Sequence, residues 1–432
     1  MNARETLKVN NKGHLELGGA DCVELAKQFG TPLYLFDEAY IRRMMRIYRD
    51  TIIEKYNGNG IVLYASKAFS CQAIYRIADE ENIGIDVVSG GELYTALKAN
   101  FPAEKIVMHG NNKLDYEIGE ALDAGIGYIV ADAYSEIDKI DAEAKKRNIK
   151  QRILLRINPG VEAHTHAFVQ TATTDSKFGF SISNGTAEEA TAYAMNKQNV
   201  ELMGYHCHVG SQLFDEELFC DSANAMLTFT ANMAKDHGFM AKVLNLGGGM
   251  GVPYTADEPA VDYAANIRAI GQCITDLCNR LNIAPPAILM EPGRSIVADA
   301  GITLYTVTGT KEIPGFKNYV NIDGGMTDNP RYTLYQSPYT VYNAGRMHER
   351  ADFSCTVAGR CCESGDLIQE NVNVARPVRG DTLAVLTTGA YNYSMASNYN
   401  RIPRPAVVMI AEGEPYTAVR RETFKDLISC DG

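Results

Sequence analysis

The sequence lacks the features that would place the protein in several other classes. It has no run of eighteen or more apolar residues, so no membrane-spanning helix is predicted. Its start, MNARETLKVNNKGHLEL, has no apolar stretch like the centre of a secretory signal, which indicates a cytoplasmic protein. The charge of −12, from 41 basic and 53 acidic residues, argues against nucleic acid or a membrane surface as the main partner.

Metal-binding and disulfide patterns are also missing. The ten cysteines form no CxxC pair, and the eight histidines form no HExxH motif, so we expect no metal. Most of the cysteines are expected to be buried thiols of a reducing compartment.

The middle of the chain alternates between short apolar runs and longer segments with a helical pattern. This alternation predicts βα units and a parallel sheet, and hence the α/β class. The predicted strands are residues 61–66, 84–88, 105–109, 127–131, 152–157, 201–207, 242–246 and 287–291. The clearest predicted helices are residues 37–55, 72–82, 92–100, 135–147 and 261–281.

Eight such strands are the number that closes a (β/α)8 barrel. An open, doubly wound sheet is the alternative, but no GxGxxG motif follows the first strand. After about residue 295 the strands follow one another with almost no helix, which predicts an antiparallel β domain. We therefore expect a barrel over residues 36–295 and a β domain from residues 1–35 and 296–432. The predicted strands of the β domain are residues 301–311, 317–323, 353–359, 382–388 and 406–411.

Several predicted barrel strands end in residues that can do chemistry. In a barrel these ends converge on one face, where active sites lie. Lys67 ends the first strand, where a desolvated amine can form a Schiff base. A lysine that extends into solvent is the ordinary alternative for that one residue.

The seventh strand ends in three glycines, Gly247, Gly248 and Gly249. Such a turn can bring backbone N–H groups close to a phosphate. The alternative is that the triple glycine is only a turn, which is the more common case.

The sixth and eighth strands end in a second set of candidates. His206 and His208 are expected to share one strand face, where an imidazole can stack on an aromatic ring; no third ligand supports a metal there. Ser211 offers a hydroxyl to a phosphate. Glu291 can pair with a protonated ring nitrogen, and Arg294 can bind a carboxylate. An ordinary Glu–Arg ion pair explains these last two equally well.

Taken together, these features match one ligand. A Schiff-base lysine, a phosphate-binding turn, a stacking ring and a carboxylate for a pyridinium nitrogen are what pyridoxal phosphate needs. We therefore expect this cofactor.

Six ordered motifs carry a family resemblance. They are YASKAF, HCHVGSQ, LGGGMGVPY, EPGRSIVADAG, CCESGD and GAYNYSMASNYN. The sequence resembles the fold-type III pyridoxal-phosphate-dependent decarboxylases, whose barrel and β domain are alanine racemase-like. The segments HGNNK at residues 109–113 and EAHTH…DSKFGFS at residues 162–181 favour the branch that acts on diaminopimelate.

The resemblance implies a role for each matching residue. Lys67 would carry the cofactor, His208 would stack on its ring, and Glu291 would hold the ring nitrogen protonated. Cys362 would be the catalytic proton donor and Cys361 a bystander. An inert buried thiol is the alternative for Cys362. The phosphate would be bound by Ser211, Gly247, Gly248 and Gly249, with help from Glu291, Pro292, Gly293 and Arg294. The substrate would be bound by Arg294, Arg331, Tyr335, Glu363 and Tyr391, with Tyr391 also near the cofactor.

The implied reaction is the decarboxylation of meso-2,6-diaminopimelate to L-lysine and CO2. The resemblance also implies a homodimer in which each active site is completed by Cys362 and Glu363 of the second subunit. The nearest alternatives are decarboxylases of carboxynorspermidine, arginine or ornithine. An alanine-racemase-like enzyme is a further alternative, although such enzymes usually pair the ring nitrogen with Arg. A non-catalytic carrier or regulator would be expected to lose Lys67 or Cys362, and neither is lost.

Overall fold

The computed structural model describes residues 6–56, 58–161 and 177–432. Most of the EAHTH…DSKFGFS segment, residues 162–176, lies outside the described residues. The chain divides into two compact units. The first comprises Met1–Arg43, Val252–Pro259 and Arg294–Gly432, and the second comprises Met44–Gly251 and Ala260–Gly293.

The N-terminal part of the first unit begins with a small antiparallel sheet. Asp21 caps the first helix, because its carboxylate accepts hydrogen bonds from the backbone N–H groups of Val23 and Glu24. The elements of this part are β1 (Leu7–Val9), β2 (Leu15–Leu17), β3 (Ala20–Asp21), α1 (Cys22–Phe29), β4 (Leu33–Asp37) and α2 (Glu38–Lys55), whose last residues belong to the second unit.

The second unit is the barrel. Its strands are β5 (Gly60–Ala65), β6 (Gly84–Val87), β7 (Ile106–Met108), β8 (Tyr128–Ala131), β9 (Gln151–Asn158), β10 (Phe180–Ser181), β11 (Val200–His206), β12 (Val243–Asn245) and β13 (Ala287–Met290). Its helices are α3 (Gln72–Glu80), α4 (Gly90–Lys98), α5 (Asp115–Ala124), α6 (Tyr134–Lys146), α7 (Thr186–Met195), α8 (Glu217–His237) and α9 (Tyr263–Leu281).

Eight of these strands form a closed parallel ring. Each pairs with the next, in the order β5, β6, β7, β8, β9, β11, β12 and β13, and β13 pairs back with β5. The two-residue strand β10 pairs in parallel with the last two residues of β9, Ile157 and Asn158. The barrel prediction is confirmed. The barrel strands contribute a buried cluster of apolar side chains. Its members are Leu63, Val107, Val130, Leu154, Val243 and Leu289.

The C-terminal part of the first unit is rich in strands. Its elements are α10 (Arg294–Val297), β14 (Gly301–Ile313), β15 (Lys317–Ile322), α11 (Arg331–Tyr335), β16 (Val341–Asn343), β17 (Phe353–Ala358), β18 (Leu367–Val374), β19 (Thr382–Val385), β20 (Ala406–Ala411), β21 (Glu414–Val419) and α12 (Phe424–Leu427). The long strand β14 is central, because it pairs with β4, β15 and β19. Most pairings are antiparallel, as expected, but β15 with β17 and β4 with β20 are parallel. A tight hairpin can join only antiparallel strands. The two strands of each parallel pair are joined by longer connections, which allow them to run in the same direction.

None of the described helices is long and apolar enough to cross a membrane. The cysteine prediction is only half right, because five of the ten thiols are buried, three are half-buried, and Cys362 and Cys430 are exposed. Two of the half-buried thiols lie on the surface helices α8 and α9, where a small apolar residue fits without complete burial.

Candidate active site

Glu291 lies at the centre of a buried hydrogen-bond network in the second unit. It directly follows β13, and only 7% of it is exposed. Its Oε1 lies 2.6 Å from Nε2 of His109 and 2.6 Å from Nδ2 of Asn245, and its Oε2 lies 3.2 Å from Nε2 of His206. An ionised carboxylate only accepts hydrogen bonds, so both imidazoles must carry a proton on Nε2. Three other strand ends thus direct donors at this one carboxylate.

The network holds Glu291 ionised. Burial by itself would raise the pKa of this carboxyl. The electrostatic interactions and hydrogen bonds with His109 and His206 lower it by more, so the pKa of Glu291 lies well below its usual range. Burial lowers the pKa of His206 to about 3. His206 is therefore neutral near pH 7, where it donates a hydrogen bond to Glu291.

The sequence placed His206 and His208 on one strand face and suggested no third metal ligand beside them. In the structure the residues grouped with His206 are different ones. His206 ends β11, whereas His208 lies beyond the strand. Potential ligand atoms of His109, His206 and Glu291 all lie within 4.8 Å of one another. The hydrogen bonds to Glu291 account for this arrangement without an ion.

Lys67 lies in a short 3-10 turn, Ser66–Ala68, at the end of β5. We expected a desolvated lysine, but Lys67 is exposed in the single chain, since it extends from the turn rather than from inside the strand. Its charge acts on Asp86 and on His208. Burial, followed by the charge of Lys67, holds the pKa of His208 well below its usual range, so this ring is a neutral imidazole. Burial and the charge of Glu291 raise the pKa of Asp86, and Lys67 opposes them.

The glycine turn after β12 packs closely against the backbone that follows the neighbouring strands β11 and β13. A Cβ on Gly248 would lie 2.1 Å from the carbonyl oxygen of Glu291, and one on Gly247 would lie 2.6 Å from the carbonyl oxygen of Cys207. The φ of Gly247 is +68° and that of Gly249 is +126°, conformations that favour glycine. Close packing therefore requires these glycines, and it leaves their backbone without shielding side chains.

The other proposed phosphate-binding residues lie nearby in the chain. Ser211 is half-buried in the loop after β11. The carbonyl of Pro292 accepts a hydrogen bond from the backbone N–H of Ala65 at 3.0 Å. A Cβ on Gly293 would lie 2.9 Å from the Cβ of Ala65. Residues 292–293 thus pack directly on the end of the strand that carries Lys67.

Two buried arginines and an aromatic ring form a second cluster, in the first unit. The guanidinium groups of Arg294 and Arg331 lie 4.8 and 5.2 Å from the ring centre of Tyr391. Arg294 donates a 2.7 Å hydrogen bond to the hydroxyl of Tyr254, and Arg331 lies 5.1 Å from the exposed ring of Tyr335. The φ of Tyr391 is +69°, a costly conformation that residues at functional sites often adopt.

Arg331 is suited to bind an anion. It is 8% exposed, and its Nε finds no hydrogen-bond acceptor in the described part of the chain. A buried guanidinium donor without an acceptor is costly, and a carboxylate would satisfy it.

The adjacent cysteines differ sharply. Cys361 is half-buried, and burial raises the pKa of its thiol to about 11. Cys362 is exposed, so it is not the inert buried thiol that was the alternative for this residue. Glu363 is exposed as well. The backbone N–H of Cys362 donates to Oδ1 of Asn400 at 2.8 Å.

Sequence reasoning missed the partners of these residues. His109, Asn245 and Tyr254 were not assigned a role, although His109 belongs to HGNNK and both His109 and Asn245 lie at strand ends. Their position was the available signal, because all strand ends of a barrel meet on one face.

The chain matches known proteins over nearly its full length. Residues 39–298 match the family model "Pyridoxal-dependent decarboxylase, pyridoxal binding domain". A diaminopimelate decarboxylase from Bacillus subtilis is 45% identical over 426 residues, covering 99% of this chain and 97% of the relative. One from Bacillus methanolicus is 46% identical over 420 residues, covering 97% of each. The crystal structure of a diaminopimelate decarboxylase from M. jannaschii in co-complex with L-lysine superposes with a TM-score of 0.91 at 33% identity, covering 100% of this chain and 99% of that one.

Proposed function

Since the chain belongs to the pyridoxal-dependent decarboxylase family, and relatives at 45–46% identity are diaminopimelate decarboxylases, we propose that it converts meso-2,6-diaminopimelate to L-lysine and CO2. The chain is a carboxy-lyase that uses pyridoxal phosphate. Its reaction is the last step of lysine biosynthesis.

The residues of the second unit fit the cofactor. A buried carboxylate that stays ionised suits a protonated ring nitrogen. A glycine turn with unshielded backbone suits a phosphate. When bound, pyridoxal phosphate supplies an electron-poor ring that accepts the electron pair released as CO2 leaves.

We assign the following roles at the cofactor. Lys67 binds it covalently through Nζ, and Glu291 holds the ring nitrogen protonated. His208, as a neutral imidazole, stacks on the ring. The phosphate is bound by Ser211, Gly247, Gly248 and Gly249 and by the backbone of Pro292, Gly293 and Arg294.

We assign substrate binding to the arginine cluster. Diaminopimelate has two amino-acid ends, so a site must bind the end that does not react. Arg294 and Arg331 offer planar donors for its carboxylate. The Nε of Arg331, which has no acceptor among the described residues, supports this role. Glu363 suits the distal ammonium, and Tyr335 and Tyr391 flank the guanidinium groups.

Cys362 is assigned as the proton donor. Its S–H bond breaks as a C–H bond forms at the carbon that carried the departing carboxylate, and the thiolate regains a proton from solvent. General acids contribute about 10²–10⁴-fold to a rate. Cys362 is exposed, whereas Cys361 is half-buried, and this difference supports the choice of Cys362.

Assembly and location are part of the proposal. We propose a homodimer in which Cys362 and Glu363 complete the site of the partner, and the exposure of both residues in the single chain supports it. Ten cysteines without a disulfide suit the cytoplasm. We also propose residues 36–295 as the cofactor-binding domain, which the family match over residues 39–298 supports, and residues 1–35 with 296–432 as the β domain.

The observation that carries the proposal is the buried carboxylate of Glu291, which accepts hydrogen bonds from the strand-end residues His109, Asn245 and His206. The test is CO2 release by purified protein with pyridoxal phosphate. We expect meso-diaminopimelate to be strongly preferred over ornithine, arginine and carboxynorspermidine, and the Lys67→Ala variant to be inactive. Preference for one of the other three amino acids would overturn the substrate assignment.

A further inference from the structure

The backbone of the Cys362 turn is held by a buried carboxylate. Asp366 is 3% exposed. Its Oδ2 accepts a 2.6 Å hydrogen bond from the backbone N–H of Cys361, and its Oδ1 accepts one of 2.6 Å from the backbone N–H of Met326. Asp366 therefore ties the cysteine turn to the neighbouring segment 324–326.

The surrounding backbone closes tightly around this carboxylate. A Cβ on Gly359 would lie 2.3 Å from it, and a Cβ on Gly325 would lie 2.6 Å from it. Gly359 also donates its N–H to the carbonyl of Asp366 at 2.9 Å, and Asp366 donates its own N–H to the carbonyl of Glu363 at 3.1 Å. In the described part of the chain no basic side chain pairs with Asp366, and two backbone N–H groups donate to its carboxylate.

A second anchor holds the other side of the turn. The side-chain oxygen of Asn400 accepts the backbone N–H of Cys362 itself at 2.8 Å. Asn400 has a φ of +54°, which asparagine tolerates better than most residues. The two acceptors therefore fix consecutive peptide groups, those of Cys361 and Cys362.

We propose that Asp366 and Asn400 are positioning residues that set the place of the Cys362 thiol. This inference rests on the proposed role of Cys362 as proton donor. Both residues act through the backbone of the turn and not on the substrate. A displacement of the donor by about 1 Å can cost on the order of 10²-fold in rate.

The first test is Asp366→Asn, which keeps the shape of the side chain. One carboxylate oxygen becomes an NH2 group that faces a backbone N–H, so one of the two hydrogen bonds that Asp366 accepts is lost. We expect kcat to fall by roughly tenfold while KM for diaminopimelate stays near that of the wild type. The second test, Asn400→Gly, keeps the positive φ and removes the acceptor, and Asn400→Asp restores the acceptor and should rescue activity.

A label reports the position of the donor directly. In D2O the wild-type enzyme should add deuterium to one face of the carbon that loses CO2, since a fixed donor approaches from one side. In Asp366→Asn and Asn400→Gly we expect label on both faces, as solvent replaces the displaced thiol. A merely unstable protein would lose activity without mixing the label.

Asp323→Asn is the matched control. Asp323 also accepts a backbone N–H, that of Thr306 at 2.9 Å, but it does not bond the cysteine turn. It should keep single-faced labelling. Single-faced labelling and normal kcat in Asp366→Asn and Asn400→Gly, with a defective Cys362→Ala, would overturn this inference alone. Normal behaviour of Cys362→Ala would overturn the proposed role of Cys362 and the inference with it.

Discussion

Nε2 of His109 donates a 2.6 Å hydrogen bond to Oε1 of Glu291, joining two strand ends that are far apart in the sequence. Closure of the barrel brings them together, because parallel strands present all their C-terminal ends on one face. The bond helps to hold the pKa of Glu291 well below its usual range despite burial. The ionised state of this carboxylate is therefore a property of the whole barrel rather than of one motif.

We predict that Glu291→Gln binds pyridoxal phosphate but decarboxylates poorly. The amide cannot hold a ring proton as a carboxylate does, and its NH2 group would face one of the two histidines. We expect kcat to fall by roughly 10²-fold, or about 2.7 kcal/mol of barrier. Steady-state kinetics with a cofactor absorbance spectrum would measure both effects. Near-normal turnover would show that Glu291 has another role.

We predict that Lys67 is the covalent attachment site of the cofactor. The purified protein should be yellow, and borohydride should fix pyridoxal phosphate to a single peptide containing Lys67. Mass spectrometry of the digest makes the measurement. Lys113 is a useful comparison, because it is buried against Glu136 at 2.9 Å and should carry no label. Label on any lysine other than Lys67 would contradict the assignment.

We predict that Arg331→Lys lowers kcat/KM for diaminopimelate by roughly tenfold, because lysine lacks the planar fork and one charged hydrogen bond is worth about 1.5–3 kcal/mol. The loss should be largest for the diacid and small for a diamino acid with one carboxylate. Arg376→Lys is the control: Arg376 is exposed, pairs with Glu312 and lies over Phe353. Equal losses for every amino acid tested would indicate a folding defect in Arg331→Lys instead.

We predict that Asp328 makes stability depend on pH. Burial raises the pKa of this carboxyl from 3.8 to about 7. The folded protein holds this proton more tightly than the unfolded chain, so the stabilisation is fully present below about pH 4 and is lost as the pH rises through 7. Between pH 5 and 8 the wild type should lose about 2.7 kcal/mol relative to Asp328→Asn. Urea unfolding of both proteins at several pH values tests this, and parallel pH curves would contradict it.

Much of the fold could be predicted because local patterns specify it. The first barrel strand was expected at residues 61–66 and is Gly60–Ala65, and the late strand expected at residues 406–411 is Ala406–Ala411. Runs of β-branched residues mark such strands wherever they lie. The parallel pairing of β15 with β17 was not predictable in this way, because it depends on how distant strands meet.

Several residues of the site were predictable from the sequence, but the contacts between distant segments were not. Residue types and motifs identify Lys67 and Glu291 as candidates, because each needs only its own strand end. The bond between His109 and Glu291, and the anchoring of Cys362 by Asn400, depend on contacts between distant segments. The exposure of Lys67 was also missed, since a strand-end position does not specify the direction of a long side chain.

The last prediction concerns the shared active site. If Cys362 serves the partner's Lys67, then Lys67→Ala and Cys362→Ala should each be nearly inactive as homodimers. In a mixed dimer, the Cys362→Ala chain supplies an intact Lys67 and the Lys67→Ala chain supplies an intact Cys362, so one of the two sites is complete. Random pairing makes half of the dimers mixed, and an isologous interface gives each of them one working site of two, so activity should return to roughly a quarter of wild type. Subunit exchange is verified separately with differently tagged chains, and the activity is measured as CO2 release. If exchange occurs and activity does not return, each site is built within one chain, because no pairing of these variants would then contain both residues in one site.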